Sequence, residues 1–189
     1  MRFSKPGEFS NLKELKAMKK IGLLSDTHGC WDERFAKYFK DCDEIWHAGD
    51  IGSMEVADHL RVIAPLRAVY GNIDSHEFHY IFSKVLRWRC EDVEVFMTHI
   101  GGYPGKYDAS VRRMLVADTP KLFISGHSHL LKVMYDPVLD LLHINPGAAG
   151  RVGFHEVRTI VRFVIDGQEI KDLEVIELND QEKLVVPLV

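Results

Sequence analysis

The sequence is poor in the features that mark secreted, membrane and DNA-coating proteins. Its 189 residues include only three cysteines and no Cys-x-x-Cys pair, which argues against a disulfide framework or a cysteine-rich zinc site. No apolar run approaches the roughly 20 residues of a membrane-spanning helix, and no secretory signal core precedes Lys19. The net charge of −4 lacks the basic excess typical of proteins that bind long nucleic acids. We therefore expect a cytoplasmic protein without a membrane or long nucleic acid as its main partner.

Length and composition indicate one globular domain. Hydrophobic residues make up 46% and charged residues 28% of the chain, which is enough for a sizeable core. We expect residues 1–19 to form a peripheral N-terminal appendage, helical from about Asn11, and residues 20–189 to form the domain. Whether the domain forms a homo-oligomer is left open by the sequence.

The first half of the domain alternates apolar strands with helical patterns. Strands are predicted at 20–25, 43–48 and 66–70, and helices at 31–40 and 54–63, the latter capped by Ser53. This alternation is typical of a parallel sheet with crossover helices.

The second half consists mainly of predicted strands. Hairpins are expected at 85–98, 131–145 and 159–178, with a strand at 122–125, a helix at 109–117 and a loop at 102–106. We expect these strands to form a second sheet packed on the first, with helices on the outer faces. The predicted fold is therefore an α/β protein, a four-layer α/β/β/α sandwich of two mixed sheets.

Five predicted strands end in side chains that can ligate metals. Asp26 and His28 follow the first strand two positions apart, and in an extended chain both would project from one face. An N-cap aspartate with an incidental histidine would explain one such ending, but not five. The other endings carry Asp50, Asn72 with Asp74, His99, and His127 with His129, whose imidazoles are likewise expected to point to one side. The carboxyl ends of strands are where open α/β sheets place ligand sites.

The donor types at these endings indicate the class of metal. Carboxylate, imidazole and amide oxygen without thiolate suit Mn²⁺ first, with Fe, Zn²⁺, Ni²⁺ or Co²⁺ as alternatives. Seven donors exceed the needs of one ion and suffice for two ions that share a carboxylate. Two ions ~3.5–4 Å apart can hold the attacking and leaving oxygens of a displacement at phosphorus and supply an activated hydroxide. The candidate ligands are Asp26, His28, Asp50, Asn72, His99, His127 and His129.

These motifs resemble those of the calcineurin-like metallophosphoesterase superfamily, in particular its small single-domain bacterial and archaeal phosphodiesterases. The resemblance covers about residues 20–178 and implies the four-layer sandwich. The resemblance also implies that Asp50 bridges the two ions and that Asp74 is an acid beside the site. The motifs are Asp26-Thr27-His28-Gly29, Gly49-Asp50, Gly71-Asn72-Ile73-Asp74, Thr98-His99, Gly126-His127-Ser128-His129 and the late turn Asn145-Pro146-Gly147-Ala148. The implied ligands are Asp26, His28, Asp50 and His129 for the first ion and Asp50, Asn72, His99 and His127 for the second.

The function implied by the resemblance is a metal-dependent phosphoric ester hydrolase. We expect foremost a phosphodiesterase that acts on small phosphoesters or cyclic nucleotides, with Asp50, Asn72 and Asp74 in the catalytic machinery. Many relatives carry a histidine or cysteine where this chain has Ile73, so a leaving-group proton would come from elsewhere. His76 is the nearest candidate in sequence, with a surface role at the start of a helix as the alternative. Ile100 is a second difference from these relatives. Many of them have glycine directly after the metal-binding histidine, whereas here Ile100 stands between His99 and Gly101-Gly102.

A different class of function is also open at this point. The same fold serves as a non-catalytic protein-binding scaffold in a retromer subunit that resembles these enzymes but has lost part of the ligand set. All the matched ligands are present in this chain, which favours the enzyme. Metal content and turnover with added Mn²⁺ distinguish the two.

Overall fold

The computed structural model of the chain describes residues 18–178 and 186–187. The predicted N-terminal helix lies outside these residues, and the division at residues 19 and 20 stays a prediction. The helices are α1 Glu33–Phe39, α2 Met54–Ile63, α3 His76–Ile81 and α4 Ala109–Ala117. The strands are β1 Lys19–Leu24, β2 Glu44–His47, β3 Leu66–Ala68, β4 Val85–Cys90, β5 Val93–Thr98, β6 Gly102–Tyr103, β7 Lys106–Tyr107, β8 Leu122–Ile124, β9 Leu131–Asp136, β10 Leu141–Pro146, β11 Thr159–Asp166, β12 Glu169–Glu177 and β13 Val186–Pro187.

Two mixed sheets form the centre of the described structure. The first sheet has the order β13-β12-β11-β1-β2-β3, in which β1, β2 and β3 are parallel and β11 lies antiparallel to β1. The second sheet has the order β4-β5-β8-β10-β9, in which β5, β8 and β10 are parallel and the two outer strands are antiparallel. This arrangement confirms the predicted pair of mixed sheets.

Alternation along the strands divides the core into three apolar layers. On β1, Ile21 and Leu23 face the second sheet, while Leu24 faces α1 and α2. In the layer between the sheets, Trp46 packs edge-on against Trp88, with ring centroids 4.8 Å apart. A third layer packs α4 on the outer face of the second sheet. The chain is thus a four-layer α/β/β/α sandwich, and none of its described helices is long and apolar enough to cross a membrane.

Two local predictions were wrong. The hairpin of β11 and β12 was expected in the second sheet but joins the first sheet beside β1. Its buried residues alternate between the apolar layer that separates the two sheets and the layer that packs against α1 and α2. The segment 102–106 contains the short ribbon of β6 and β7 rather than a loop alone. The bounds of helix α3 were not predicted, and a helix starting near His76 was only an alternative, since Phe78 is its one buried side chain and leaves no apolar period to recognise.

Candidate metal centre

The candidate ligands lie on five loops at one end of the two sheets. The loops after β1, β2 and β3 carry the aspartates, His28 and Asn72, and the loops after β5 and β8 carry the other histidines. The first two loops extend the pairing of their strands, since the Asp26 N–H donates to the Gly49 carbonyl at 2.9 Å and the His28 N–H to the Asp50 carbonyl at 3.0 Å. The sheets meet where Gly126 approaches the first loop, because a Cβ at Gly126 would collide with Ser25.

Most of these ligands stand on a left-handed backbone. The φ angles are positive at Asp26, His28, Asp50, His127 and His129, with values of 54°, 47°, 54°, 67° and 57°. Asp26 and His28 do join one donor group, but the extended backbone expected for them was wrong, because β1 ends at Leu24 and the chain then turns at each ligand. This conformation costs an L-residue roughly 1–2 kcal/mol and is concentrated at functional sites.

Asp26, His28 and His129 form the first group, in which three donor atoms lie within 4.8 Å of one another. The Nε2 atoms of the two histidines are 3.2 Å apart, and Asp26 Oδ1 lies 3.2 Å from His129 Nε2. Asp26 Oδ1 is fully buried but accepts no well-directed hydrogen bond, although its distances to imidazole nitrogens are short. A buried carboxylate oxygen without a directed donor suits a cation.

His155 orients His129 through a chain of hydrogen bonds. The Gly150 carbonyl can only accept, so the His155 Nε2 that lies 3.1 Å from it donates. The Nδ1 of neutral His155 then accepts, and it lies 3.3 Å from the Nδ1 of His129. In this arrangement His129 carries its proton on Nδ1 and turns the lone pair of Nε2 towards Asp26 and His28. Sequence reasoning missed His155, because it lies in an irregular segment with no strand or helical pattern.

Asp50, His99 and His127 form the second group, again with three donor atoms within 4.8 Å. The His99 Nδ1 donates to the Ala48 carbonyl at 2.8 Å, which leaves the lone pair of Nε2 in the neutral ring. That Nε2 faces two oxygens, Asp50 Oδ1 at 3.2 Å and Asn72 Oδ1 at 3.1 Å. His127 thus belongs to the second group, whereas His129 belongs to the first.

Asp50 joins the two groups. Its Oδ1 faces His99 of the second group, and its Oδ2 lies 3.8 Å from the Nε2 of His28 in the first group. The Ile73 N–H donates to Oδ1 at 3.1 Å and helps to fix the carboxylate. Only 2% of Asp50 is exposed, so its charge is shielded from water and needs cationic partners.

Asp74 holds the loops that carry Asp50 and Asn72. Its carboxylate accepts from the backbone N–H of Gly52 at 2.7 Å, Gly71 at 2.8 Å and Ile51 at 3.2 Å. The side chain is buried and faces backbone donors rather than the ligand atoms. Asp74 therefore acts through the position of its neighbours.

The donor set fits divalent cations. Metal ligation requires neutral imidazole rings and deprotonated carboxylates. In that state the imidazole lone pairs and the carboxylate oxygens face one another without protons between them. In the metal-free protein the nearby carboxylates favour the protonated form of these histidines. Burial opposes charge on His99, but the bond to Asp50 and the field of Asp26 outweigh it and raise the pKa of His99. The nearby carboxylate of Asp26 likewise raises the pKa of His129, and the interaction with His99 lowers the pKa of Asp50 despite its burial. Cation binding would therefore compete with protonation of His99 and His129.

The structure separates His76 from the cavity beside Asn72 and His99. That cavity is lined by His79, while the ring of exposed His76 packs edge-on against His79 with centroids 5.2 Å apart. Ile73 is 46% exposed and offers no proton. A proton donor for the leaving group is therefore not assigned by these contacts, and the role of His76 stays a prediction.

Comparison with known proteins identifies the family. The profile of the calcineurin-like phosphoesterase superfamily domain matches residues 18–168 of this chain. The chain therefore belongs to this superfamily, as its motifs predicted. A relative from Methanothermobacter thermautotrophicus, described as a probable metallophosphoesterase, is 29% identical over 163 residues that cover 82% of this chain and 91% of that protein.

Solved structures show the same fold. Wild-type Vps29 from Entamoeba histolytica, solved as a complex with Zn²⁺, superposes with a TM-score of 0.73 at 16% identity, covering 89% of this chain and 98% of that one. A structure described as a novel archaeal phosphodiesterase superposes with a TM-score of 0.64 at 24% identity, covering 84% of this chain and 99% of that one. At these identities the likeness supports the four-layer fold.

Proposed function

We propose that this protein is a dinuclear metal-dependent phosphodiesterase. The observation that carries the proposal is the position of Asp50, whose two carboxylate oxygens face the two ligand groups. The first ion would be held by Asp26, His28, Asp50 and His129, and the second by Asp50, Asn72, His99 and His127. We expect Mn²⁺ as the preferred ion, with Fe, Zn²⁺, Ni²⁺ or Co²⁺ as alternatives.

Bound divalent cations supply a hydroxide nucleophile near neutral pH and neutralise the charge that develops on phosphoryl oxygens. The residues of the chain provide the geometry for this chemistry. The Ala48 carbonyl fixes the ring of His99, and the hydrogen bond from Ile73 fixes Asp50. Asp74 ties the loops after β2 and β3 together, so the ligands are held in place before a substrate arrives.

Diesters are favoured as substrates because the site lacks an evident acid for a poor leaving group. Ile73 is aliphatic where a proton donor would assist an alkoxide, and a positioned histidine typically contributes about 10²–10⁴-fold. Diesters with aryl or nucleoside leaving groups, including cyclic nucleotides, depend less on that proton. The similarity to an archaeal phosphodiesterase agrees with this choice. The three cysteines are free, which agrees with the expected cytoplasmic location.

Turnover is the decisive measurement. The protein would be freed of metal, titrated with Mn²⁺ by calorimetry, and assayed with bis(p-nitrophenyl) phosphate, p-nitrophenyl phosphate and cyclic nucleotides. We expect two ions per chain and Mn²⁺-dependent hydrolysis of diesters above monoesters. Metal binding alone would not separate an enzyme from a scaffold, because a protein can bind an ion without turning over a substrate. Absence of turnover with each of the five metals would refute the enzyme and favour the protein-binding scaffold.

A further inference from the structure

A cavity of about 330 Å³ opens beside the second ligand group. Its size falls within the roughly 300–1,000 Å³ of small-molecule sites in proteins. The lining contains both polar ligand residues and larger apolar or aromatic surfaces. The lining residues that matter here are Tyr70, Asn72, His79, Lys84, His99 and Ile100.

Two stacked rings form one wall of this cavity. The rings of Tyr70 and His79 lie nearly parallel, with centroids 4.0 Å apart and an angle of 27° between their planes. The Tyr70 N–H donates to the Ser83 carbonyl at 3.1 Å, and Val69 forms a bridge with Ser83, so the segment after α3 is tied back to the end of β3. The rings are thereby held by the backbone on both sides of α3.

The cavity adjoins the position where phosphorus would be held. Asn72 and His99 line the cavity and are also proposed ligands of the second ion. A phosphodiester bound between the two ligand groups therefore has one of its ester substituents beside the cavity. Ile100, which is 44% exposed, adds an apolar surface, and Lys84 adds a cation that can bind oxygens of the substituent.

We propose that this cavity binds the retained organic substituent of the phosphodiester, and that the substituent is a nucleoside or a similar planar heterocycle. A flat ring system can lie along the Tyr70–His79 pair, whereas a methyl or other small alkyl group would leave most of the cavity empty. This proposal rests on the proposed phosphodiesterase function and specifies its substrate class.

Two diesters with the same leaving group test the proposal. Thymidine 5′-(p-nitrophenyl phosphate) and methyl p-nitrophenyl phosphate both release p-nitrophenolate, so their kcat/KM ratio reports the retained substituent. Stacking of a base on an aromatic side chain contributes enough for about a tenfold preference or more, so we expect that ratio in the unmodified protein. His79→Ala should lower the ratio by about tenfold. Tyr80→Ala is the matched control, because Tyr80 is the next residue of α3, is 90% exposed and does not line the cavity.

The outcomes separate this proposal from the proposed function. Hydrolysis of both diesters with a ratio near one, or a ratio unchanged by His79→Ala, overturns the cavity proposal and leaves the phosphodiesterase in place. If neither diester is hydrolysed, the proposed phosphodiesterase function is refuted. Binding of thymidine 5′-monophosphate to the protein then tests whether the cavity accepts a nucleoside. Chemical-shift changes at Tyr70 that are lost in His79→Ala support nucleotide binding there. Absence of such changes at millimolar nucleotide overturns it.

Discussion

The Nδ1 atom of His129 lies 3.3 Å from the Nδ1 atom of His155. Because His155 donates its other N–H to the Gly150 carbonyl, the contact requires His129 to be the donor. In the neutral His129 ring, the lone pair of Nε2 is thereby directed towards Asp26 and His28, where a cation would bind. Arg158 anchors this segment by donating to the Ala149 and Gly150 carbonyls at 2.8 and 3.1 Å.

His155→Ala should weaken binding of the first ion. Loss of the partner frees the His129 ring to rotate and to change tautomer, and loss of such a partner typically costs about 10–100-fold in metal affinity. Calorimetric titration of the metal-free protein with Mn²⁺ measures the effect, and one of two binding steps should weaken selectively.

Two further variants show whether His155 acts through its hydrogen bond. In His155→Gln the side-chain carbonyl can still accept from His129, so much of the affinity should return. Phe154→Ala alters the adjacent, fully exposed side chain and should leave both binding steps as they are. Equal affinities in His155→Ala and the unmodified protein would contradict the proposed orientation of His129.

Asp50→Asn should abolish most of the activity while the fold stays intact. The amide is nearly isosteric and can still accept from Ile73, but it removes the charge that faces both ligand groups. We expect a loss of kcat greater than the roughly 10–100-fold that outer partners of metal ligands cost. Steady-state kinetics with excess Mn²⁺ and thermal unfolding measure the two effects. Near-normal kinetics in the metal-replete variant would refute the shared carboxylate.

Gly71→Ala should displace Asp50 by contact alone. A Cβ at Gly71 would collide with the carboxylate and the backbone nitrogen of Asp50, and the φ angle of Gly71 is not in the left-handed region. We expect metal affinity to fall by about tenfold or more. Gly105→Ala is the control, because its Cβ meets open space while its φ of +85° makes the substitution strained. That control should lower the free energy of unfolding by roughly 1–3 kcal/mol without weakening metal binding.

Ile73→His should raise hydrolysis of monoesters more than hydrolysis of diesters. The side chain at this position is 46% exposed, so an imidazole can be accommodated, and its proton would assist an alkoxide leaving group. The measurement is kcat/KM for matched aryl and alkyl, mono- and diester substrates in both proteins. Efficient hydrolysis of alkyl monoesters by the unmodified protein, unchanged by His76→Ala, would show that neither residue sets the substrate class.

His143 should make the fold sensitive to acid. Burial, assisted by the charge of Lys132, lowers the pKa of His143 to about 4. Between its ordinary pKa near 6.5 and pH 4, the unfolded chain binds a proton that the folded chain does not. The free energy of unfolding therefore falls with falling pH in this range by about 1.4 kcal/mol per pH unit, and is independent of this group above pH 7.

Urea unfolding of metal-free protein from pH 7.5 to 5 measures that dependence. Buried His47, whose pKa burial also lowers to about 4, contributes in the same direction and is common to both proteins compared. His143→Gln removes one titrating group, so its slope below pH 6.5 should be smaller by about 1.4 kcal/mol per pH unit. Identical slopes in the two proteins would show that His143 does not remain neutral in the fold.

Local signals predicted the elements whose ends are set by their own residues. Helix α2 has the predicted bounds, because Ser53 caps its start through the Glu55 N–H and Pro65 follows its end. The hairpin of β4 and β5 also has the predicted bounds. The placement of β11 beside β1 could not be read locally, since alternating buried residues suit either sheet.

The site was predictable in its residue types but not in its geometry. Strand endings rich in aspartate and histidine predicted which loops meet, because carboxyl ends of parallel strands share one edge. The left-handed turns at Asp26 and His28 depend on pairing with the Gly49 and Asp50 carbonyls, which are distant in sequence. The contact of His155 with His129 depends on the path of an irregular segment and has no counterpart in any local pattern.

The ligands that face one another come from both sheets and from distant parts of the chain. His28 follows β1 of the first sheet and His129 follows β8 of the second, 101 positions later. An ion held by both would link two residues that are far apart in the chain. Links that close long loops reduce the conformational entropy of the unfolded chain most. This metal link can form only after the two sheets have packed together in register. Metal binding would then selectively stabilise those newly synthesised chains that are already correctly folded.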